Sequence, residues 1–224
     1  MKAKELRFVF DDLQDIIQSS LYHGVFWEEA ELDKIARYIK PGSVILDIGA
    51  NIGNHAIYFD KFVSPKTVYV FEPLSRAITM MLQNVALTYS HSINLEYIGL
   101  ALSDKDGYVI PYNTCEHNMG ATDFREILPE EDIDISNVGV RTITGDSIFR
   151  DLKVDFIKID VEGMEFKVLA GLAETITKNK PIIFIEVNKN KMNELEQWLL
   201  SNDYYIIECT DNNINYLISP KNIS

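Results

Sequence analysis

Four acidic residues stand where apolar, strand-like runs give out, and they set the chemistry open to this sequence. Asp47 follows Val44 to Leu46, Glu72 follows Val68 to Phe71, Asp160 follows Phe156 to Ile159, and Glu186 follows Ile182 to Ile185. Buried carboxylates need partners. A cationic ligand is one kind of partner; an acceptor hydroxyl that gives up its proton, or a divalent metal, is another. Around the first acid the chain reads Asp47-Ile48-Gly49-Ala50-Asn51-Ile52-Gly53-Asn54. Gly49 and Gly53 lack a Cβ, so the backbone there can turn sharply and approach a ligand closely.

Two ligand classes use a glycine loop after a strand, and a few positions separate them. Dinucleotide loops read Gly-x-Gly-x-x-Gly, so that backbone N–H groups hold a pyrophosphate. Here Asn51 and Asn54 take the second and third glycine positions, and Asp47 would repel phosphates. S-adenosyl-L-methionine has no phosphate but carries a sulfonium and an ammonium, which a carboxylate attracts. Glu72, nineteen residues past Gly53, is spaced to bond ribose hydroxyls. The expected cofactor is therefore S-adenosyl-L-methionine. Asp47, Gly49, Ala50, Asn51, Gly53 and Asn54 would form its loop, with Glu72 and Pro73 at the next strand end. Ala101, Leu102 and Ser103 would lie near the adenine. A nicotinamide-dependent oxidoreductase and a non-catalytic cofactor-binding module of the same fold are the alternatives. The asparagines oppose the first, and intact acids at every strand end oppose the second.

The elements that position these groups follow from periodicity. Leu6, Val9, Phe10, Leu13, Ile16 and Ile17 have helical spacing, which predicts a helix over residues 4–18. A second helical pattern runs from Glu28 to Ile39 and stops at Pro41-Gly42. Residues 1–40 are expected to form a helical cap and residues 41–224 the catalytic domain. The cap could act as a flap, with Tyr22 or Phe26 near adenine and Glu28 near the methionine ammonium. Further on, strands alternate with helices: Thr67–Phe71, Asn94–Ile98, Val140–Ile143, Val154–Asp160 and Pro181–Asn188 read as strands. Asp104 to Gly107 reads as a hairpin turn into Tyr108-Val109-Ile110. Residues 111–137 read as a long irregular loop, either a solvated insertion or a lid shaping the acceptor site. His117 within it is a reserve candidate for a base. Tyr204–Glu208 and Asn215–Ile218 close the chain as strands. Alternation of this kind predicts one doubly wound, mostly parallel α/β sheet over residues 44–218.

Composition bounds the partners. At 224 residues the chain supports one well-buried core, and 46% hydrophobic and 25% charged residues are ordinary for a globular protein. A net charge of −13 disfavours nucleic acid. No apolar run is long enough to span a bilayer and no signal peptide is evident, so a cytoplasmic protein is expected. Cys115 and Cys209 are isolated, which disfavours a zinc site or disulfide framework. The sequence leaves the oligomeric state open.

The run Asp47-Ile48-Gly49-Ala50-Asn51-Ile52-Gly53-Asn54-His55 resembles the first motif of the FkbM family of S-adenosylmethionine-dependent methyltransferases. Phe71-Glu72-Pro73, Ala101-Leu102-Ser103-Asp104 and Lys158-Ile159-Asp160-Val161-Glu162-Gly163-Met164-Glu165 resemble its later motifs, in order. Asn118–Gly120 and Thr142–Asp146 fit weaker intermediate patterns. Gly145 departs from the larger apolar residue more usual there. The resemblance covers about residues 22–187. It implies a class I methyltransferase (Rossmann-like) fold whose seven-stranded sheet has its last strand antiparallel. It also implies methyl transfer to a hydroxyl, often on a sugar or polyketide, so the expected acceptor is a small molecule or glycan. A neutral hydroxyl is a poor nucleophile, so a base or a metal must help. Asp160, Glu162 and Glu186 are the candidate bases, and Asp160 and Glu186 the candidate ligands for a divalent metal. Asp160 is equally a cofactor-positioning candidate.

Overall fold

The structure, a computed structural model, describes residues 2–115, 118–128, 131–210 and 214–221. After a single 3-10 turn at Lys2–Glu5, the chain runs through α1 (Ile16–Tyr22), α2 (Glu29–Ile35), β1 (Val44–Ile48), α3 (Asn54–Phe62), β2 (Thr67–Phe71), α4 (Ser75–Leu87) and β3 (Ile93–Asn94). There follow β4 (Leu100–Leu102), β5 (Gly107–Cys115), β6 (Asn118–Glu126), α5 (Ile135–Val138), β7 (Val140–Ile143) and α6 (Asp146–Phe149). Then come β8 (Phe156–Ile159), α7 (Glu165–Gly171), α8 (Ala173–Asn179), β9 (Ile182–Glu186), α9 (Met192–Asn202), β10 (Tyr204–Cys209) and β11 (Asn215–Pro220).

Seven strands form the main sheet in the order β10-β11-β9-β8-β1-β2-β3. The pairs β1–β2, β1–β8, β2–β3 and β8–β9 are parallel, while β11 runs antiparallel to both β9 and β10. The sheet is thus mixed, with the final strand reversed. Both faces are covered, which is why β1 and β8 are buried along their whole length. On one face Ile45, Val68 and Val70 pack with Ile57 and Phe59 of α3 and with Ile17, Leu21, Leu32 and Ile35 of the N-terminal segment. On the other, Leu46, Ile48, Phe71, Ile157, Ile159, Ile183 and Ile185 pack with Val168, Leu169 and Leu195. No helix among the described residues is long and apolar enough to cross a membrane.

Five expectations are corrected. The helix over 4–18 is instead a 3-10 turn, an irregular stretch and the short α1. Asp15, in extended conformation, caps α1 by accepting from Ile17 N and Gln18 N at 3.0 Å each. Gln18 Oε1 accepts from Asp11 N and Asp12 N, so polar side chains fold the preceding stretch back instead of continuing the helix. Val9 N is held by Asn84 Oδ1 of α4 at 2.9 Å.

The expected single layer is in fact two sheets. The second has the order β4-β7-β5-β6. Its hairpin β5–β6 occupies part of the expected irregular loop, and β7 lies between β4 and β5, so Asp104–Gly107 does not join a paired hairpin. The third strand of the main sheet is Ile93–Asn94, shorter than the expected Asn94–Ile98. The unusual Gly145 also finds its reason: a Cβ there would lie 2.2 Å from Leu172 Cδ2. Leu172 fills the space that a larger residue would take.

Candidate active site

Lys158 joins the glycine loop to the end of β8. In the β1–β8 register it stands opposite Asp47, on the same face as Asp160 two residues on. Its Nζ donates to Gly49 O at 2.7 Å and lies 3.4 Å from Asp47 Oδ1 and 3.3 Å from Asp160 Oδ2. Burial alone would lower its pKa, but the fields of Asp160, Asp47 and Glu28 outweigh it and raise the pKa, so the ammonium stays charged. Asp47 is fully buried and does not line the cavity, which corrects its expected contact with the cofactor. Its charge is set against Lys158 instead. Gly49 also serves a packing purpose: at φ +82°, a Cβ would lie 1.7 Å from Asp160 O.

A cavity of about 590 Å³ opens at the carboxyl ends of β1, β2, β8 and β9, within the roughly 300–1,000 Å³ range of small-molecule sites. Gly49, Ala50, Asn51 and Asn54 line it, as do Glu72, Pro73, Ala101 and Leu102. Gly53 does not; it precedes α3, and its open side faces Met81 and Ile57 in the core. Ser103 is also corrected: it is buried outside the lining, with its hydroxyl 3.0 Å from Asp104 Oδ1.

Glu72 is fixed by two backbone donors, Asn51 N on Oε2 and Leu74 N on Oε1, each at 2.8 Å. Burial pushes its carboxyl up to about 7, against those two hydrogen bonds. Asn51 stands in the left-handed region at φ 49° and turns its side chain to the cavity. Its Oδ1 is buried without a hydrogen-bond partner among the described residues. An unmatched acceptor in a small-molecule cleft fits a ligand that brings donors, as the hydroxyls and amines of S-adenosylmethionine do.

The N-terminal segment supplies the facing wall. Asn54 clamps the backbone of Trp27, accepting from its N–H at 3.0 Å and donating to its carbonyl at 3.1 Å. Next to it Glu28, at φ 59°, places Oε2 3.1 Å from His55 Nε2 and accepts from Asn215 Nδ2 of β11 at 2.8 Å on Oε1. Burial would raise the Glu28 carboxyl, but His55, Lys158 and Asn215 together hold it below its ordinary value. Glu28 therefore lines the cavity as expected. Tyr22 and Phe26 do not. Tyr22 is exposed against Phe10, and Phe26 is buried among Phe8, Tyr58 and Phe62; Trp27 is the aromatic that reaches the cavity.

At the far end, Asp160, Glu162 and Glu186 each place one carboxylate oxygen within 4.8 Å of the others. Adjacency of β8 and β9 brings the first and last together, as their strand-end positions predict. Burial, then Asp160, pushes Glu162 up to about 7; burial, then Asp160 and Glu162, pushes Glu186 up to about 8. Such a trio can hold a proton near neutrality or take a hard cation through oxygen ligands. The hairpin lines the cavity with alternate residues Asn118, Gly120, Thr122 and Phe124, and a Cβ on Gly120 would lie 3.1 Å from Asn51 Nδ2 of the glycine loop. His117 lies outside the described residues.

Sequence reasoning missed Lys158, Trp27, His55, Asn215, Thr122 and Phe124. Lys158 had a signal, as the lone charge inside Phe156-Ile157-Lys158-Ile159. The β6 residues had none, because Asn118-Met119-Gly120-Ala121-Thr122-Asp123 does not alternate apolar with polar.

Comparison with known proteins bears on this site. The family model described as the methyltransferase FkbM domain matches residues 47–206. The chain is 26% identical over 178 residues to the hexuronic acid methyltransferase AglP of Haloferax volcanii, covering 78% of this chain and 62% of that protein. It thus spans under two thirds of that relative's length. Among solved structures it is similar to the methyltransferase FkbM from Methylobacillus flagellatus KT, with a TM-score of 0.57 and 18% identity over 97% of this chain and 56% of that one. At that identity the likeness establishes the fold alone.

Proposed function

As this chain belongs to the methyltransferase FkbM family, we propose that it transfers a methyl group from S-adenosyl-L-methionine to a hydroxyl, on a sugar of a glycan or glycosylated metabolite. The observation that carries this reading is one cavity lined by both a fixed Glu72 and the Asp160, Glu162 and Glu186 cluster. The sugar rests on the name of the Haloferax volcanii relative.

When bound, the cofactor supplies an electrophilic methyl on a sulfonium. Glu72 accepts from the ribose hydroxyls with its remaining lone pairs, and Asn51 Oδ1 takes a cofactor donor. Ala101 and Leu102 flank the adenine, and the Glu28 carboxylate faces the ammonium. Residues 1–40 act as the cap that closes this side, through Trp27 and Glu28. The acceptor hydroxyl sits at the acid cluster, where Glu162 or Glu186 takes its proton. Both have proton affinities near neutrality, as a base at pH 7 requires. Asp160, turned partly toward Lys158, fixes the geometry. If a divalent cation takes part, the same three carboxylates would hold it, and the cation would lower the hydroxyl's pKa.

Two measurements test the reading. S-adenosylhomocysteine near 100 times its Kd should raise Tm by roughly 5–10 °C, while NAD leaves Tm unchanged. Mass spectrometry of a glycan and glycoside pool incubated with methyl-labelled cofactor should then find label on oxygen. Stabilisation by NAD alone would overturn the cofactor, and label confined to nitrogen or carbon would overturn the acceptor atom.

A further inference from the structure

The cavity is more acidic than a singly or doubly charged cofactor balances. Its described lining carries the carboxylates of Glu28, Glu31, Glu72, Asp160, Glu162 and Glu186. Against them stand Lys158 and His55, and no arginine is among the described lining residues. Neither side chain is available to an incoming anion. Lys158 Nζ is committed to Gly49 O, Asp47 and Asp160, with its side chain 2% exposed. His55 Nε2 faces Glu28 Oε2, with its side chain 7% exposed.

Charge inside a cleft is poorly screened, and like charges brought together there discriminate strongly between partners. The cofactor's positive groups are met by Glu28 at the cap wall. Glu162 and Glu186, where the acceptor hydroxyl must sit, are left facing the acceptor with no cation beside them except the committed Lys158. Trp27, Ile17 and Phe124 supply the apolar remainder of the wall. A carboxylate, phosphate or sulfate on the acceptor would lose its water here and meet carboxyl groups, with no free cation among the described lining residues to pair with.

We infer that the cavity selects its acceptor by charge: the methylated sugar carries no anionic group, and a hexuronate is rejected in favour of its neutral or amino counterpart. This rests on the reading of the cavity as a methyl-transfer site.

The test separates the two claims. Protein saturated with S-adenosylhomocysteine is titrated calorimetrically with methyl glycosides that differ only at C6, as hydroxymethyl, aminomethyl or carboxylate. The series is run in gluco, galacto and manno configurations, once with chelator and once with magnesium. The expected result is that the uronate of the best-bound series binds at least about tenfold more weakly than its neutral and amino partners. In the Glu162→Gln/Glu186→Gln variant that gap should narrow to about threefold or less, with the neutral sugar as control for the fold. Equal or tighter uronate binding in either medium overturns the inference, as does failure of every series to bind. If the binding order holds but labelled cofactor methylates none of the acceptors, the proposed function falls and the charge selection stands.

Discussion

Lys158 shows how much of this site hangs on one side chain. It neutralises a fully buried Asp47, holds the Gly49 carbonyl and fixes Asp160 at the cavity floor. Removing one member of a buried ion pair leaves the other charge uncompensated, which costs about 3–5 kcal/mol. Lys158→Met keeps the length and removes the charge, so its unfolding free energy from urea titration should fall by that amount; a loss under about 1 kcal/mol would mean Asp47 has another partner. Glu72 holds the loop through Asn51 N and Leu74 N, and in the proposed function it also receives the cofactor. Glu72→Ala removes charge-assisted hydrogen bonds of about 1.5–3 kcal/mol, so S-adenosylhomocysteine affinity should drop by roughly one to two powers of ten. The same residue sets a pH dependence. Its folded pKa of about 7 lies above the ordinary 4.5. The stability it contributes in the cofactor-free protein is therefore full below pH 4.5 and lost as pH rises through about 7. Ribose hydroxyls donate to the ionised form, so cofactor affinity should rise between pH 6 and 8. Calorimetry at both pH values checks this, and affinity that falls with pH would remove Glu72 from the ribose. The strand-end acids were legible because a carboxylate closing an apolar run is conspicuous. Lys158 was not, because its partners Asp47 and Gly49 lie more than a hundred residues away and only the β1–β8 register brings them together.

Among the elements, β1, β2, β8 and β9 were readable as continuous apolar runs, since strands covered on both faces must be apolar throughout. The hairpin β5–β6 was hidden by its chemistry. Asn113, Asn118, Gly120 and Asp123 have poor strand propensity, Pro111 sits inside β5, and the register shifts at Pro111/Asn113. Its inner face turns to a polar cavity, so it lacks the apolar alternation that marks a strand. The helix over 4–18 failed for the converse reason. The apolar spacing was there, but Asp15 and Gln18 offered the backbone competing hydrogen bonds. In the proposed function the hairpin shapes the acceptor site, so Phe124→Ala should raise the acceptor KM by about tenfold, the equivalent of about 1.4 kcal/mol. Its S-adenosylhomocysteine affinity should stay within about twofold of the parent protein. Equal losses in both would place Phe124 against the cofactor instead.

At the scale of the whole molecule, three bodies meet around one crevice: the carboxyl edge of the main sheet, the second sheet's hairpin and the N-terminal segment pinned by Asn54, His55 and Asn215. Sequence alternation gave the first body its place, as ligands in open α/β folds bind at that edge. How the other two close over it depends on side-chain contacts with no local signature. The close approach of Gly49 to Asp160 O, with Lys158 bridging the two, sets the acid cluster beside the glycine loop, and transfer of the methyl group to a hydroxyl there is the central claim. The most direct measurement is single-turnover transfer from methyl-labelled S-adenosyl-L-methionine to the best acceptor, in the parent protein and in Asp160→Asn and Glu186→Gln, with and without chelator. The account predicts labelled O-methyl product from the parent protein, with a rate that rises between pH 6 and 9 as Glu162 and Glu186 ionise. It predicts a loss of at least about a hundredfold in both variants while S-adenosylhomocysteine still binds. Loss of activity with chelator, restored by magnesium, would assign the trio to a metal, and indifference would assign it to proton transfer. Near-normal turnover in both variants in both media would contradict the account.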